Sequence, residues 1–508
     1  MNKIYVLFLG KEDWSKKNKV PQQVEFCFCE HLRSLPEKEQ KRIADIVILD
    51  RKIFPDEADR LKGITRGYCL FATEQVDMSD QETAYYFEGK MGQYLYTGDI
   101  ALFLEQETPK YYDYSYGEKF SSNALAVSQF FHGKISCQGN YNLMLEGDFG
   151  EDFSQIAYWR YTIPIYEKQS IDLYLEYQKM GDVEIRLRAV QFYSGSADAV
   201  RRIWEFDETE LSGVVTIGHE DAYGPVFMSI LAKGKGSLTI TSLHDRHSRD
   251  GRGYFIPGGE RLVSSKGEEV FCYFEKADMK PPLAVYFSGY RSQEGFEGYY
   301  MMRKFGCPFL LLTDPRSEGG AFYVGDEEFE SMISNVIWDK MRQLGFSEKD
   351  VVLSGASMGT YGSLYYGAEV TPHALILAKP LTNMGSVARN ERILRTGGFG
   401  TSLDILMKNY GSLEETAVEA FDQRMWKRFD TADWSKTKFI VSYLYEDDYD
   451  PDGYQNILLH LKSDGVEVFG KGNHGRHTDN SASVMEWFKS QYEKLLEEDY
   501  NRKVRRAG

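Results

Sequence analysis

The chain has 508 residues, enough for roughly two to four domains of ordinary size. Its hydrophobic content of 42% and aromatic content of 14% exclude a disordered chain. With 60 basic residues against 77 acidic ones, its net charge of −17 repels phosphate backbones and argues against a nucleic-acid partner.

The N-terminal run IYVLFL (4–9) is too short for a signal h-region and has no small-residue cleavage site. No stretch reaches the length of a membrane span. Cys27, Cys29, Cys69, Cys137, Cys272 and Cys307 are scattered without a CxxC pair. That usage fits a reducing compartment, with no metal expected. A cytoplasmic, soluble protein is the expectation.

Residues 1–115 place short apolar runs, IYVLFL (4–9), ADIVILD (44–50) and YCLFAT (68–73), between polar amphipathic segments at 37–42 and 57–61. Such alternation predicts a small parallel α/β module of Rossmann-like type. No GxGxxG follows its first strand, so a non-catalytic role is expected.

Residues 116–260 change to period-two patterns, as in IDLYLEYQ (171–178), VEIRLRAVQF (183–192) and SLTITSL (237–243). Their spacing predicts a β-sandwich. Tyr158, Trp159, Tyr161, Tyr174, Tyr177, Tyr193 and Trp204 read as exposed-face aromatics that could stack on sugar rings. Core packing and strand propensity are the competing explanation.

Residues 261–508 are expected to form an α/β-hydrolase domain. After a Gly-rich, then charged bridge at 256–280, buried strand runs recur at 283–290, 309–314, 351–357, 374–380, 438–445 and 466–471. Amphipathic helical stretches such as 327–344 and 453–462 lie between them, the doubly wound α/β pattern. The basic end, Arg502-Lys503-Val504-Arg505-Arg506, reads as a solvated tail.

Within that region VVLSGASMGTYGSLYYGA contains Gly355-x-Ser357-x-Gly359. The motif follows an apolar, β-branched run and opens a segment of small residues, the context a nucleophile elbow needs. A serine hydroxyl needs a neighbouring base. His373, at a strand start, and His460, within a helical run, read as structural. His474 and His477 follow the last strand, and His477, at the loop's end, is the favoured base, with His474 as the alternative. The acid is expected after the strand run at 438–445, where Glu446, Asp447 and Asp448 crowd together. Asp447 stands four residues before Pro451, and Glu446 and Asp448 are the next choices. An oxyanion hole needs two backbone donors. The N–H of Met358 is one, and Tyr290 or Arg291 in the loop SGYR (288–291) is the other.

The blocks FSGYRSQEGFEGYYM, LSGASMGTYGSLYYGA, YLYEDDYDP and GKGNHGRHTDN together resemble the accessory Sec system family that modifies serine-rich-repeat adhesins in Gram-positive bacteria, the second of three accessory secretory proteins. The resemblance covers essentially the whole chain. It implies an O-acetyltransferase acting on N-acetylglucosamine of the adhesin, with an acetyl donor such as acetyl-CoA and no bound cofactor. It carries the family's serine onto Ser357 and its histidine onto His477. It admits a glutamate as the acid, which keeps Glu446 beside Asp447. The implied partners are the two companion accessory secretory proteins, the accessory Sec motor ATPase and the glycosylated adhesin. The implied location is cytoplasmic, with peripheral association at the inner face of the membrane. A plain carbohydrate esterase and a non-catalytic export scaffold are the alternative readings.

Overall fold

A computed structural model describes residues 3–112, 117–167, 169–196, 198–218, 223–462 and 465–503. Val504, Arg505 and Arg506 of the basic end lie outside the described residues. The architecture is mixed α/β, with three sheets following one another along the chain.

The first sheet is parallel, in the order Val24–Cys29, Ile4–Leu9, Ile46–Leu49, Leu70–Ala72, Gln93–Tyr94. Ile4–Leu9 is buried throughout because both of its faces are covered. Tyr5, Leu7 and Leu9 pack with Leu61 and Ile64 of the helix Ala58–Ile64. Val6 and Phe8 pack with Ile100, Phe103 and Leu104 of Ile100–Gln106. Two-sided burial is why the strand reads as an unbroken apolar run. The edge strand Val24–Cys29 is only partly buried and carries Glu25, so it shows no such run.

The second sheet is antiparallel with nine strands. Two 24-residue strands, Asn142–Ile165 and Gly224–His247, pair along most of their length. Their register shifts around Gly234 and Gly150, whose φ values of 89° and 93° favour glycine. Before this point Gly224–His247 pairs with Glu184–Phe192, and beyond it with Ser170–Gly181. Both halves feed one core, Leu187, Met228 and Ile230 from one, Leu173, Leu238 and Ile240 from the other. The aromatics expected on its exposed faces divide. Tyr158, Tyr161 and Tyr193 are exposed, but Trp159 and Tyr174 are buried. Trp159 is adjacent to Tyr158, and neighbours on a strand point to opposite faces.

The third sheet has eight strands in the order Glu260–Val263, Glu269–Glu275, Phe309–Thr313, Leu283–Phe287, Val351–Ala356, Ala374–Ala378, Lys438–Leu444, Val468–Asn473. The segment read as a bridge thus supplies its first two strands, which pair antiparallel. The other six are parallel. Glu327–Leu344, Met358–Val370 and Glu415–Phe429 pack on one face. Tyr299–Phe305 and Ser481–Glu498 cover the other. Before Lys438–Leu444 the chain inserts three helices, Met384–Ile393, Thr401–Tyr410 and Glu415–Phe429, which apolar periodicity had not separated.

Buried charge joins the sheets. Lys90 and Glu275 pair at 2.6 Å between the first and the third. Between the second and third, Glu294 accepts from His244 Nδ1 at 2.5 Å and Arg246 Nε at 2.6 Å. Arg246 also forks onto Glu269 at 2.9 and 2.6 Å. Burial opposes charge on His244, but Glu294 outweighs it and the imidazole pKa rises to about 9. Burial likewise opposes charge on Glu294, yet Arg246 and His244 hold that carboxyl well below the usual carboxylate range. Among the described residues no helix is long and apolar enough to cross a membrane.

Candidate active site

Ser357 stands between the strand Val351–Ala356 and the helix Met358–Val370, at φ 52° and ψ −118°. A residue with a side chain is strained there, and such strain persists only when its surroundings enforce it. They do so here. The Ser357 N–H donates to the Ala378 carbonyl at 2.8 Å. Thr360 Oγ1 donates to the Ser357 carbonyl at 2.6 Å and accepts the Leu381 N–H at 2.9 Å. The flanking glycines are steric requirements. A Cβ on Gly359 would run into the Phe287 carbonyl, and one on Gly355 into the Gly359 backbone.

The hydroxyl of Ser357 lies 2.8 Å from Nε2 of His477. Nδ1 of His477 lies 2.8 Å from Oδ2 of Asp447. A carboxylate only accepts, so Nδ1 carries the hydrogen, and Nε2 of the neutral ring accepts from Ser357. His477 and Asp447 are both buried. Asp447 is fixed by the Tyr449 and Asp450 N–H groups, which donate to Oδ1 at 2.9 and 3.3 Å.

The other two carboxylates of the crowded run have different partners. Glu446 turns away from His477, accepting from His474 Nδ1 at 2.9 Å and from the Gly475 N–H at 2.6 Å. It is therefore not the acid partner of His477, and His474 is not the partner of Ser357. This second pair is exposed, so water competes with it. Asp448 accepts the His477 N–H at 3.0 Å and Arg395 Nε at 2.9 Å. Of the remaining histidines named above, His373 bonds Asp499 and His460 bonds Asp430, and neither is bonded to Ser357.

Three groups around His477 were not singled out in the sequence. The ring of Tyr449 stacks on the imidazole, 4.3 Å between centroids and 7° from parallel. The Arg395 guanidinium lies 3.8 Å over the same Tyr449 ring. Buried Lys379 donates to the His477 carbonyl at 2.6 Å, the Asp479 carbonyl at 3.0 Å and Ser481 Oγ at 2.8 Å, pinning the loop. Burial lowers the Lys379 pKa, opposed by Asp447 and Asp479. A φ of 56° at Lys379, after a strand end, had no sequence signal, because glycine is the usual residue there.

For the oxyanion donors, Met358 opens its helix, where the first N–H groups lack intrahelical acceptors. The loop 288–291 lies beside it. Phe287 pairs with Gly355, and a Cβ on Gly289 would come within 3.0 Å of the Ala356 carbonyl. Arg291 is ruled out as a donor, because its N–H is spent on the Gly319 carbonyl at 3.0 Å. The Gly289 N–H is spent on Glu297 Oε2 at 2.6 Å. Among the described residues Tyr290 N–H has no internal acceptor, so of the loop's candidate donors it alone is not already spent. Among the same residues no group of three or more His, Cys, Asp or Glu side chains could hold a metal ion.

Comparison with known proteins adds the following. Residues 4–502 match the family model described as the accessory Sec system GspB-transporter. The second accessory secretory protein of Streptococcus gordonii is 36% identical over 99% of both chains. Its Staphylococcus aureus counterpart is 39% identical over 76% of this chain and 74% of its own. Among solved structures, a chain of the glycosylation-associated Gap123 complex of Streptococcus agalactiae superposes with a TM-score of 0.85 at 35% identity, over 99% of this chain and all of that one.

Proposed function

The chain belongs to the accessory Sec system GspB-transporter family, and on that premise we propose that it is a serine-dependent O-acetyltransferase acting on N-acetylglucosamine of serine-rich-repeat adhesins. The observation that carries the reading is the unbroken line from Ser357 Oγ through His477 to Asp447, with 2.8 Å at each step. The elbow after the fifth strand of a doubly wound sheet supports an α/β-hydrolase assignment for residues 261–508.

In this mechanism Ser357 attacks the acetyl carbonyl of the donor while His477 Nε2 takes the hydroxyl proton. Asp447 stabilises the imidazolium that results. The developing oxyanion is received by the N–H groups of Met358 and Tyr290. Collapse expels the leaving group, which takes the proton from His477. For acetyl-CoA the carbon–sulfur bond breaks and the free thiol departs. A sugar hydroxyl then gives its proton to His477 and attacks the acetyl-serine; the acyl bond to Ser357 Oγ breaks, the acetylated sugar leaves, and His477 returns the proton to Ser357 Oγ.

The export role is proposed alongside. The likeness to a chain of the Gap123 complex supports assembly with the two companion accessory proteins; a place beside the accessory motor ATPase in the cytoplasm is proposed with it. Residues 1–115 are read as a non-catalytic Rossmann-like module. Residues 116–260 are read as a carbohydrate-binding-like sandwich, supported by exposed Tyr158, Tyr161 and Tyr193.

The deciding experiment is mass spectrometry of a co-expressed glycosylated adhesin. Acetyl groups present with the parent protein and absent with Ser357→Ala are expected. Equal acetylation in both would overturn the assignment. Free acetate without acetylated sugar would favour the esterase.

A further inference from the structure

The strand Gly117–Ser121 belongs to the antiparallel second sheet, yet it grips two segments of the third-sheet region. The Gly117 N–H donates to the Glu294 carbonyl at 2.9 Å, and the Glu294 N–H donates back at 2.7 Å. Two residues along, the buried Lys119 ammonium donates to the carbonyls of Pro315 and Ser317.

Those segments hold the candidate oxyanion loop from either side. Just beyond Glu294, the Glu297 carboxylate accepts the Gly289 N–H, and the Glu297 N–H donates to Ser288 Oγ at 3.2 Å. Just beyond Ser317, the Gly319 carbonyl accepts the Arg291 N–H. Tyr290 therefore sits between two pinned neighbours, and both pins trace back to one strand of a different sheet. Glu294 is itself immobilised by His244 and Arg246, both contributed by Gly224–His247. A buried carboxylate stripped of such partners is strongly disfavoured, so these contacts hold together or fail together.

We propose that the antiparallel sheet is part of the acyl-transfer machinery, with Lys119 and Glu294 as positioning residues that set the Tyr290 N–H donor of the oxyanion hole. The inference rests on the acyl-transfer reading of Ser357. It makes the catalytic unit larger than the third sheet and its helices. Neither residue touches substrate in this scheme, and both act through the loop 288–291. A donor displaced by about 1 Å costs on the order of 100-fold in rate.

The test uses the full-length protein and p-nitrophenyl acetate, with the Ser357→Ala rate subtracted. Lys119→Met keeps an unbranched stem and removes the ammonium. The expected result is a fall in kcat on the order of 100-fold with KM within about threefold. The oxoester-to-thionoester rate ratio should also collapse toward unity, because sulfur is a poor acceptor for N–H donors. That ratio does not depend on how much of the sample is folded, so a merely structural role would leave it unmoved. Glu294→Gln, which keeps the backbone pair with Gly117, should change the ratio in the same direction, and it decides the matter if Lys119→Met does not fold. Ser79→Ala, in the first-sheet region, where the exposed hydroxyl donates to Asp77 at 2.6 Å, serves as the control at parent rate. Variants that match the parent in kcat and in the ratio overturn the proposal alone. A parent no faster than Ser357→Ala overturns the acyl-transfer reading and this proposal with it.

Discussion

The imidazole of His477 lies on the ring of Tyr449, 4.3 Å between centroids and 7° from parallel. Three consecutive residues thereby hold one histidine. Asp447 takes its Nδ1, Asp448 takes its backbone N–H, and Tyr449 fixes the plane of its ring. A general base has to keep Nε2 on the nucleophile throughout the proton transfer, and a stacked ring restricts rotation about the bond that would carry Nε2 away. Tyr449→Ala should lower kcat about tenfold, and Tyr449→Phe should stay within about twofold of the parent because the stack survives. Steady-state kinetics on an activated acetyl ester would decide. Equal loss in both variants would assign the effect to the hydroxyl.

The acid–base line itself gives a steeper prediction. Ser357→Ala and Asp447→Asn should each lose about three to four orders of magnitude in kcat. Both should fold, since the elbow tolerates a smaller side chain and an asparagine side chain is nearly isosteric with the aspartate it replaces. Near-parent turnover of either purified variant would remove that residue from the mechanism.

The second histidine–carboxylate pair supplies a matched control. His474 and Glu446 are 2.9 Å apart but exposed, and neither is bonded to Ser357 or His477. Glu446→Gln and His474→Ala should each leave kcat within about twofold, because exposed ion pairs contribute little. A hundredfold loss in Glu446→Gln would reinstate it as a working acid.

How legible the site was depended on the range of the interaction. The elbow could be read because its requirements are local. Gly355 and Gly359 leave room for Gly359 and Phe287 backbone, and the strand before them is an apolar run because both faces are covered. The choice among Glu446, Asp447 and Asp448 could not be made, since three adjacent carboxylates look alike until the direction of the turn is known. Arg395, Lys379 and Lys119 carried no signal. Each meets its partner across tens of residues or more, and a lone cation outside an apolar pattern ordinarily reads as solvated surface. The mixed fates of Tyr158 and Trp159 show the same limit within a strand, where composition does not fix which face is inward.

The buried cluster between the second and third sheets makes stability depend on pH in a definite direction. His244 is raised from 6.5 to about 9, so its contribution is complete below pH 6.5 and is lost as pH rises through 9. Asp245, raised by burial and then by Glu118 from 3.8 to about 7, adds a loss in the same direction between those values. Glu294, held below its ordinary 4.5, works oppositely and loses its contribution only in acid. The melting temperature should therefore be highest near pH 4.5, fall as Asp245 ionises towards pH 7, and fall further towards pH 9 as His244 loses its proton. His244→Gln should flatten that alkaline fall while lowering the maximum. A parent melting temperature constant from pH 6 to 9 would contradict the assignment of charge to His244.

Catalysis and export should come apart in one substitution. Ser357 lies at an elbow whose backbone is fixed by Ala378, Thr360 and Leu381, so Ser357→Ala removes one hydroxyl and leaves every outer surface as it was. On the proposed reading partners dock on those outer surfaces, and the first sheet and its helices are tied to the third sheet by the buried Lys90–Glu275 pair. If export needs the complex and not the acetyl group, a strain carrying Ser357→Ala should secrete adhesin at close to the parent level, with the secreted adhesin lacking acetyl groups. The same variant should still co-purify with the companion accessory proteins. Secretion and pull-down assays on parent and variant read both outcomes directly. Loss of secretion with the complex intact would make the acetyl group itself the export signal. Loss of both would mean that Ser357 has a structural role, which the steric room at the elbow argues against.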